Sequence, residues 1–430
     1  MAKGSGKRAT IAILAALVGG MLLGVAAAGI DAPWRDPATR SALVVGGLWL
    51  DALKMTVIPL IVALLVVSIV GSAEAARAGG LATRSILWFV VVLTASAIFG
   101  GVMTPALLEL FPLPQEAAAA LRVGLASVDT GAAAASVPKA ADFLRSIIPS
   151  NVIAAAAEDK ILPLVVFTSI FGFAMTRIEA PKQRTLAGLF EAIAETMLVM
   201  IAWVLWIAPL GIFALAFAVG AGAGIAALGA IAHYVVIISA LGLILVFVAY
   251  GIAISFGRVP LGTFARAMVA PQAVAISTQS SLASLPAMLT AVKEMGVRDT
   301  TAEVTLPLAV ALFRATGPAM NFGVAFYVAH WFGITPSPIQ MGVAIALASV
   351  MSYSAASLPG SISFVTSIAP IALALGVPIE PLALLIAVET IPDIFRTVGN
   401  VTWDVAVTTA ADKQSMRKDQ RLEISRTASE

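Results

Sequence analysis

Long apolar runs follow one another along most of this chain, separated by short polar stretches. Because the runs lack strict polar-apolar alternation, the pattern predicts a bundle of helices rather than a sheet. Several runs reach or exceed the roughly 20 residues that an α-helix needs to cross a bilayer. The runs cover residues 11–30, 42–71, 85–111, 161–176, 186–219, 228–256, 302–335, 341–375 and 381–411.

The last apolar run carries a polar stripe. At about 100° per residue, its ionisable and amide side chains fall within an arc of roughly 80° on one continuous helix. They are Glu389, Asp393, Arg396, Asn400 and Asp404. Because an ionisable group costs about 2.5–3.5 kcal/mol near the bilayer centre, the stripe is expected to face protein, water or a bound solute. One interpretation is an ion-pair network that only joins helices, and the other is a site for a charged solute.

Composition agrees with a membrane protein. Hydrophobic residues make up 60% of the chain and charged residues 12%, whereas soluble domains have about 25% charged residues. The fold class predicted is therefore an all-α polytopic membrane protein. The chain has no cysteine, which excludes disulfides and thiol catalysis, and no basic run indicates nucleic acid. His233 and His330 are too far apart in sequence to indicate a metal site and are interpreted as ordinary polar residues at helix ends. No cofactor is predicted.

The distribution of Lys and Arg predicts the orientation. Lys3, Lys7 and Arg8 precede the first apolar run, which is interpreted as a retained helix rather than a cleaved signal peptide. If the N-terminus is cytoplasmic, the loops that are rich in Lys and Arg also lie on the cytoplasmic side, as the positive-inside rule requires. Both termini are then cytoplasmic, and the membrane expected is a bacterial inner membrane, although the Lys and Arg distribution itself predicts only the orientation. The Ala-rich stretch 112–160 is expected to be an external loop that leads into a short helix.

This orientation holds only if two serine-rich regions do not cross the bilayer. Ser280–Pro286 and Tyr353–Pro359 agree at five of seven positions, and each is followed by a related helix, LFRATG at Leu312–Gly317 and IFRTVG at Ile394–Gly399. The internal repeat predicts two re-entrant helical hairpins of inverted topology whose tips meet near the midplane. Their backbone N–H groups and serine hydroxyls would suit a carboxylate.

These segments resemble the dicarboxylate/amino acid:cation symporter family, which includes the glutamate and aspartate transporters. The similarity runs from LKMTVIPLIV (Leu53–Val62) through STQSSLASLP in the first hairpin to DIFRTVGNVTWD (Asp393–Asp404). The resemblance implies eight transmembrane helices, two re-entrant hairpins and a homotrimer in the lipid bilayer. It also implies an elevator mechanism, in which a transport domain slides against a fixed scaffold to carry a small anionic substrate.

The resemblance also implies a division of the chain. Residues 1–80 form scaffold helices 1 and 2, and 81–112 form helix 3 on the transport-domain side. The external loop, scaffold helices 4 and 5 and then helix 6 occupy 113–257. Residues 258–411 hold both hairpins with helices 7 and 8, and 412–430 form a cytoplasmic tail.

Site residues are implied residue by residue. Asp393 would receive a substrate amino group and Arg396 a side-chain carboxylate, which suits the bidentate arginine fork. The other substrate contacts implied are Thr397, Asn400, Ser280, Ser281, and the second hairpin tip with Ser354, Ser357 and Gly360.

One departure from the family pattern affects the coupling ion. Phe313-Arg314-Ala315-Thr316-Gly317 stands where relatives have an Asn-Met-Asp-Gly-Thr sodium motif. We hypothesise that Arg314 takes the electrostatic place of sodium beside Asp404 or Asp393, which would make transport sodium-independent. Glu389 and Asp393 are then candidate proton carriers. Candidate coupling-ion or counter-charge residues are Glu389, Asn400, Asp404 and Thr94, and no metal site is predicted with intact ligands.

Several alternatives stay open from the sequence. Arg314 and Thr316 could bind the substrate directly, with Arg314 holding a second carboxylate in a dicarboxylate. Sodium-coupled symport and obligate exchange are further possibilities, and the coupling ion is either H⁺ or Na⁺. An anion channel is a remote alternative, because the charges gather on one helix instead of forming a ring. An intramembrane enzyme is disfavoured because no His or Lys lies beside the hairpin serines. Asp51 and Lys54 are expected to form a pair on the second helix.

Overall fold

The computed structural model describes residues 5–30, 33–77, 80–113, 148–158, 160–223, 226–354 and 360–427, and the described part contains helices and no strand. In chain order the helices are α1 (Ser5–Ala28), α2 (Arg35–Arg77), α3 (Gly80–Leu110), α4 (Val152–Ala157), α5 (Ile161–Met175), α6 (Ala180–Trp206), α7 (Ala208–Ala223), α8 (Ala226–Ser255), α9 (Leu261–Thr278), α10 (Ser281–Glu294), α11 (Asp299–Leu312), α12 (Gly317–Phe332), α13 (Pro338–Ser354), α14 (Gly360–Ala374), α15 (Glu380–Leu385) and α16 (Thr390–Thr427).

Five of the described helices are long and apolar enough to cross a membrane. They contain the segments Ile11–Ala28, Arg35–Glu74, Gly80–Leu110, Ala180–Trp206 and Leu228–Ser255. The predicted all-α polytopic class is therefore confirmed. Most of the predicted external loop, at 114–147, lies outside the described residues.

Small residues let α1 and α7 pack backbone against backbone. A Cβ added to Gly24 would lie 2.2 Å from the carbonyl oxygen of Phe217, and one added to Gly220 would lie 2.5 Å from that of Met21. Glycines at such crossings allow the close approach on which helix association in membranes depends. The first apolar run therefore forms an integral part of the packed bundle.

Two helical hairpins are each followed by a broken helix. The first hairpin pairs α9 with α10 and the second pairs α13 with α14. With 14 residues in α10 and 15 in α14, the returning arms are about 21–23 Å long, short of the roughly 30 Å hydrocarbon core. The order of elements matches the internal repeat in the sequence. The tip of the second hairpin, 355–359, lies outside the described residues.

The terminal helix differs from its prediction at its start. The run 381–411 was expected to be continuous, but α15 ends at Leu385 and α16 begins at Thr390. Pro381 and Pro392 each lie in the first turn of a helix, where a missing N–H costs little. Glu389 therefore lies in the turn before α16, and its carbonyl oxygen accepts the Asp393 N–H at 2.8 Å. The prediction that Glu389 belongs to the helical stripe was wrong.

Further along, α16 runs through the middle of the protein. Residues 401–412 are buried on every face, because α8, α9, α10 and α11 surround the helix. Its apolar side chains join a core with Phe264, Met288 and Leu306. The polar side chains of α16 between Thr402 and Asp412 consequently face protein and not lipid.

The expected pairing of Asp51 with Lys54 is also not found. The Lys54 Nζ atom instead lies 2.5 Å from the Glu380 Oε1 atom, and this ion pair ties α2 to α15. The Glu380 side chain is only 12% exposed, so its carboxylate offers a less screened partner than the exposed Asp51.

The close packing of α1 against α7 at Gly24 can be tested by its effect on stability. Gly24→Ala should destabilise the protein by about 1–3 kcal/mol, since the methyl group forces α1 away from α7. Gly47→Ala is the matched control, because nothing lies within 4 Å of its added Cβ and alanine is the better helix former. Thermal unfolding in detergent measures both, and equal melting temperatures would contradict the close packing.

Candidate functional site

The Arg396 guanidinium lies at the centre of a buried polar cluster. Arg396 is 9% exposed. Its Nη1 donates to the Asn321 Oδ1 at 2.6 Å, and its Nη2 donates to the Glu389 Oε1 at 2.6 Å. Its Nε lies 3.5 Å from the Asp393 Oδ1. Three polar partners thus satisfy a cation that would otherwise be costly to bury.

Four elements bring this cluster together. Arg396 and Asp393 lie one turn apart on α16, whereas Glu389 comes from the preceding turn and Asn321 from α12. Tyr234 on α8 donates its hydroxyl to the Glu389 Oε2 at 3.1 Å. The Glu389 carboxylate, 4% exposed, is therefore held between a guanidinium and a phenol.

A second polar group joins α16 to the break between α11 and α12. The Asn400 Oδ1 accepts the Thr316 N–H at 3.0 Å and the Thr316 hydroxyl at 2.8 Å. The Thr316 hydroxyl also lies 3.0 Å from the Arg396 carbonyl oxygen. A Cβ on Gly399 would lie 2.3 Å from the Thr316 Cγ2, so glycine is needed for this close approach. The Asn400 amide thus caps the N-terminus of α12.

Asp404 occupies a different environment one turn further along. It is fully buried, and neither of its carboxylate oxygens accepts a hydrogen bond in the described part of the chain. Arg314, in the break before α12, is close enough to interact electrostatically with Asp404 and Asp393. The hypothesis that Arg314 supplies a counter-charge agrees with this placement.

The tip of the first hairpin reaches the start of α16. Gln279 adopts a left-handed backbone conformation with φ 50°, and its Nε2 donates to the Thr390 carbonyl oxygen at 3.2 Å. Ser280 caps α10, because its Oγ accepts the Ala283 N–H at 3.2 Å. Ser281 is the first residue of α10 and is half-buried. Both predicted serines thus lie on the hairpin that borders the Arg396 cluster.

The other predicted residues lie at different distances from the Arg396 cluster. Thr397 is buried on α16 beside Arg396. Ser354 ends α13 and Gly360 begins α14, whereas Ser357 lies outside the described residues. Thr94 is exposed on α3, and its hydroxyl lies 3.4 Å from that of Ser349. Thr94 is therefore not brought against Asp404 by any described hydrogen bond.

Three site residues were missed by the sequence reasoning. Tyr234 and Asn321 contact Glu389 and Arg396, and Ser96 on α3 donates its hydroxyl to the Ala315 carbonyl oxygen at 2.5 Å. Each is a polar residue within an apolar run, and this was the one sequence feature that could have indicated it. Their partners lie far away in sequence, so no spacing rule could connect them.

The cluster has an excess of negative charge. Three carboxylates, those of Glu389, Asp393 and Asp404, face two guanidinium groups, those of Arg314 and Arg396. If all are ionised, one formal negative charge is left over in a low-dielectric region. A proton, a cation or the ammonium group of a solute could neutralise it. The guanidinium groups in turn suit the carboxylate of an acidic solute.

Comparison with known proteins agrees with this chemistry. The chain matches the Sodium:dicarboxylate symporter family over residues 9–414. The proton/glutamate-aspartate symporter of Escherichia coli (strain K12) is 27% identical over 364 residues, covering 83% of this chain and 81% of that protein. The C4-dicarboxylate transport protein of Laribacter hongkongensis (strain HLHK9) is 25% identical over 413 residues, covering 93% and 88%. The proton/sodium-glutamate symport protein of Bacillus subtilis (strain 168) is 26% identical over 406 residues, covering 92% and 91%.

The family match covers nearly the whole chain and confirms the resemblance seen at Leu53–Val62 and Asp393–Asp404. It also agrees with helices that are long enough to span a membrane and with a buried cluster of charged side chains. The chain is an integral membrane transporter rather than an enzyme, and it belongs to the sodium:dicarboxylate symporter family.

Proposed function

We propose that this secondary transporter moves an acidic amino acid or a C4-dicarboxylate across the bacterial inner membrane together with protons. The relatives named for glutamate-aspartate and for C4-dicarboxylate transport support this range of substrates. Movement would follow the elevator mechanism, with residues 258–411 sliding against the scaffold of a homotrimer and both termini in the cytoplasm.

The observation that carries the proposal is the pairing of Arg396 with Glu389. The Glu389 Oε1 lies 2.6 Å from the Nη2 atom, which is where a substrate carboxylate would bind a guanidinium. Glu389 and the substrate therefore compete for the same donor. A proton on Glu389 weakens its bond to Arg396 and leaves the guanidinium to the substrate.

Charge balance favours the same coupling. An acidic amino acid carries a net charge of −1, so its binding while Glu389 takes up one proton leaves the net charge of the cluster unchanged. A C4-dicarboxylate carries −2 and would need one further positive charge or proton. Binding the anion without a proton would add to the negative charge already present, at a high cost in a desolvated site. Asp393, 3.5 Å from the Arg396 Nε, would accept the ammonium group if the substrate is an amino acid.

The surroundings of Asp404 support protons over sodium. A sodium site needs several oxygen ligands, but the Asn400 Oδ1 already accepts two hydrogen bonds from Thr316. Arg314 brings a fixed positive charge to the same region. We infer that Arg314 replaces the bound cation, so that transport does not require sodium.

A second candidate function rests on Asp404. Its two buried oxygens accept no hydrogen bond from the described residues and could bind a sodium ion, so a sodium-coupled dicarboxylate symporter is the alternative. In that case Arg314 would hold a second substrate carboxylate. An obligate exchanger would use the same site without net movement of ions.

The ion that drives transport can be tested directly. Purified protein in proteoliposomes should accumulate L-aspartate or succinate when an inward proton gradient is imposed in the absence of sodium. A sodium gradient at equal pH on both sides should add little. Strict dependence on sodium would contradict proton coupling and favour the alternative.

Arg396→Lys should lower ligand affinity by about 30-fold or more, because a hydrogen bond to a charged group contributes about 1.5–3 kcal/mol and lysine lacks the planar fork. The shift in melting temperature with L-aspartate, L-glutamate, succinate or malate measures this loss. Arg298→Lys is the matched control, since Arg298 pairs with Asp412 at 2.8 Å outside the cluster. Undiminished binding by Arg396→Lys would rule out the proposed carboxylate contact.

Glu389→Gln should uncouple transport from protons. Glutamine keeps the shape of the side chain but cannot titrate, so uptake driven by a proton gradient should fall by at least about tenfold while exchange of internal for external substrate persists. The control is Glu191→Gln, an exposed glutamate on α6. If proton-driven uptake by Glu389→Gln equals that of the wild type, Glu389 is not the proton carrier.

A further inference from the structure

A hydrogen-bonded cluster outside the Arg396 site joins α3, α8 and α12 at one end of the protein. His233 lies in the second turn of α8 and is half-buried. Its Nε2 lies 3.0 Å from the Phe111 carbonyl oxygen, just after α3, and its Nδ1 lies 2.8 Å from the Tyr327 hydroxyl on α12. In the orientation expected from the basic loops, this end faces the outside of the cell.

The hydrogen atoms in this cluster can be counted. The Phe111 carbonyl oxygen only accepts, so the His233 Nε2 must carry a hydrogen. The Tyr327 hydroxyl donates to the Ala230 carbonyl oxygen at 3.1 Å, which uses its single hydrogen. The contact between Tyr327 and His233 then requires a hydrogen on Nδ1 as well. All three bonds form together only when His233 is an imidazolium, and a neutral ring leaves one of them unmade.

This cluster touches the proposed proton carrier through one aromatic contact. The rings of Tyr327 and Tyr234 pack edge to face with centroids 5.3 Å apart. The Tyr234 hydroxyl in turn donates to the Glu389 carboxylate at 3.1 Å. His233 and Glu389 are therefore connected by a continuous series of contacts through Tyr327 and Tyr234.

Few other charges act on His233 among the described residues. Glu109 on α3 and His330 on α12 are exposed titratable groups of the elements that pack against it. On its own helix, the next residue is Tyr234, whose hydroxyl donates to Glu389. No carboxylate in the described part of the chain lies within ion-pair distance of His233. The contacts with Phe111 and Tyr327 are therefore the main polar interactions of the His233 ring among the described residues.

We propose that His233 is a positioning residue that makes proton coupling at Glu389 depend on the pH at this end of the protein. When His233 takes up a proton at Nδ1, Tyr327 turns its hydrogen to Ala230 and the contact between α8 and α12 is complete. Tyr234 is then held in place to donate to Glu389. When His233 loses that proton, Tyr327 donates to Nδ1 instead, and the bond to Ala230 is lost. This inference rests on the proposed proton coupling.

The test is the pH profile of uptake in right-side-out membrane vesicles, with the internal pH fixed. The external pH is varied from about 8 to about 5.5, the interval in which histidines ordinarily change charge, with L-aspartate and succinate as probes. His233→Gln should move the pH of half-maximal uptake at least about half a unit toward acid. Lysine stays charged throughout this range. The uptake rate of His233→Lys should therefore stay close to its value at acid pH up to about pH 8.

Two further variants separate this role from a structural one. His330→Gln, which alters the other histidine, should keep the wild-type profile. Tyr327→Phe removes the shared oxygen and should shift the profile in the same direction as His233→Gln. A residue that only supports the fold would scale the rate and leave the pH dependence unchanged, so a His233→Gln profile that superimposes on the wild type after scaling would overturn the proposal.

A spectroscopic measurement distinguishes failure of this inference from failure of the proposed function. In protein labelled with ¹⁵N-histidine, the His233 ring, assigned with His330→Gln, should carry hydrogen on both nitrogens at the pH of maximal uptake. A neutral ring at that pH, with proton-driven uptake intact, would refute the role of His233 alone. Uptake that needs sodium and ignores pH would refute the proton coupling and this inference together.

Discussion

The buried ion pair between Arg396 and Glu389 determines the arrangement of the polar interior. Taking both charges out of water is expensive, and the cost is offset only if the remaining donors and acceptors are also satisfied. Asn321 and Tyr234 meet that requirement from α12 and α8, so two neighbouring helices must lie close to the start of α16. In the proposed function, an acid that takes the Nη2 donor of Arg396 displaces Glu389 from it. The contact that joins α16 to the turn before it would then also be the contact that the substrate exchanges.

The break between α11 and α12 provides the second constraint. A helix interrupted inside a bundle exposes N–H and C=O groups that must find partners. The Asn400 side chain and the Ser96 hydroxyl supply them at Thr316 and Ala315, which fixes the break against α16 and α3. The Asn400 side-chain oxygen is thereby occupied by its bonds to Thr316. The positive charge near Asp404 is that of Arg314. The proposed replacement of a bound cation by Arg314 would therefore change the coupling ion while the break keeps its contacts with α16 and α3.

Much of this architecture could be predicted from the chain itself, and some could not. The apolar runs identify the long helices because their length is set by the bilayer. The spacing of Asp393, Arg396 and Asn400 correctly places them on one helix, since they follow the helical period. Glu389 was assigned to that helix in error, because the chain leaves α15 at Leu385 and begins α16 only at Thr390. Tyr234, Asn321 and the Glu380 partner of Lys54 depend on tertiary packing, which local periodicity does not encode.

We propose that a substrate carboxylate replaces Glu389 at Arg396 while Glu389 takes up a proton. Isothermal titration calorimetry can measure this proton, with L-aspartate titrated in sodium-free buffers of different ionisation enthalpy at the same pH near neutrality. The dependence of the observed heat on the buffer gives the number of protons bound with each ligand. We expect net uptake of about one proton. Binding that takes up no proton, or that occurs only when sodium is present, would refute the exchange at Arg396.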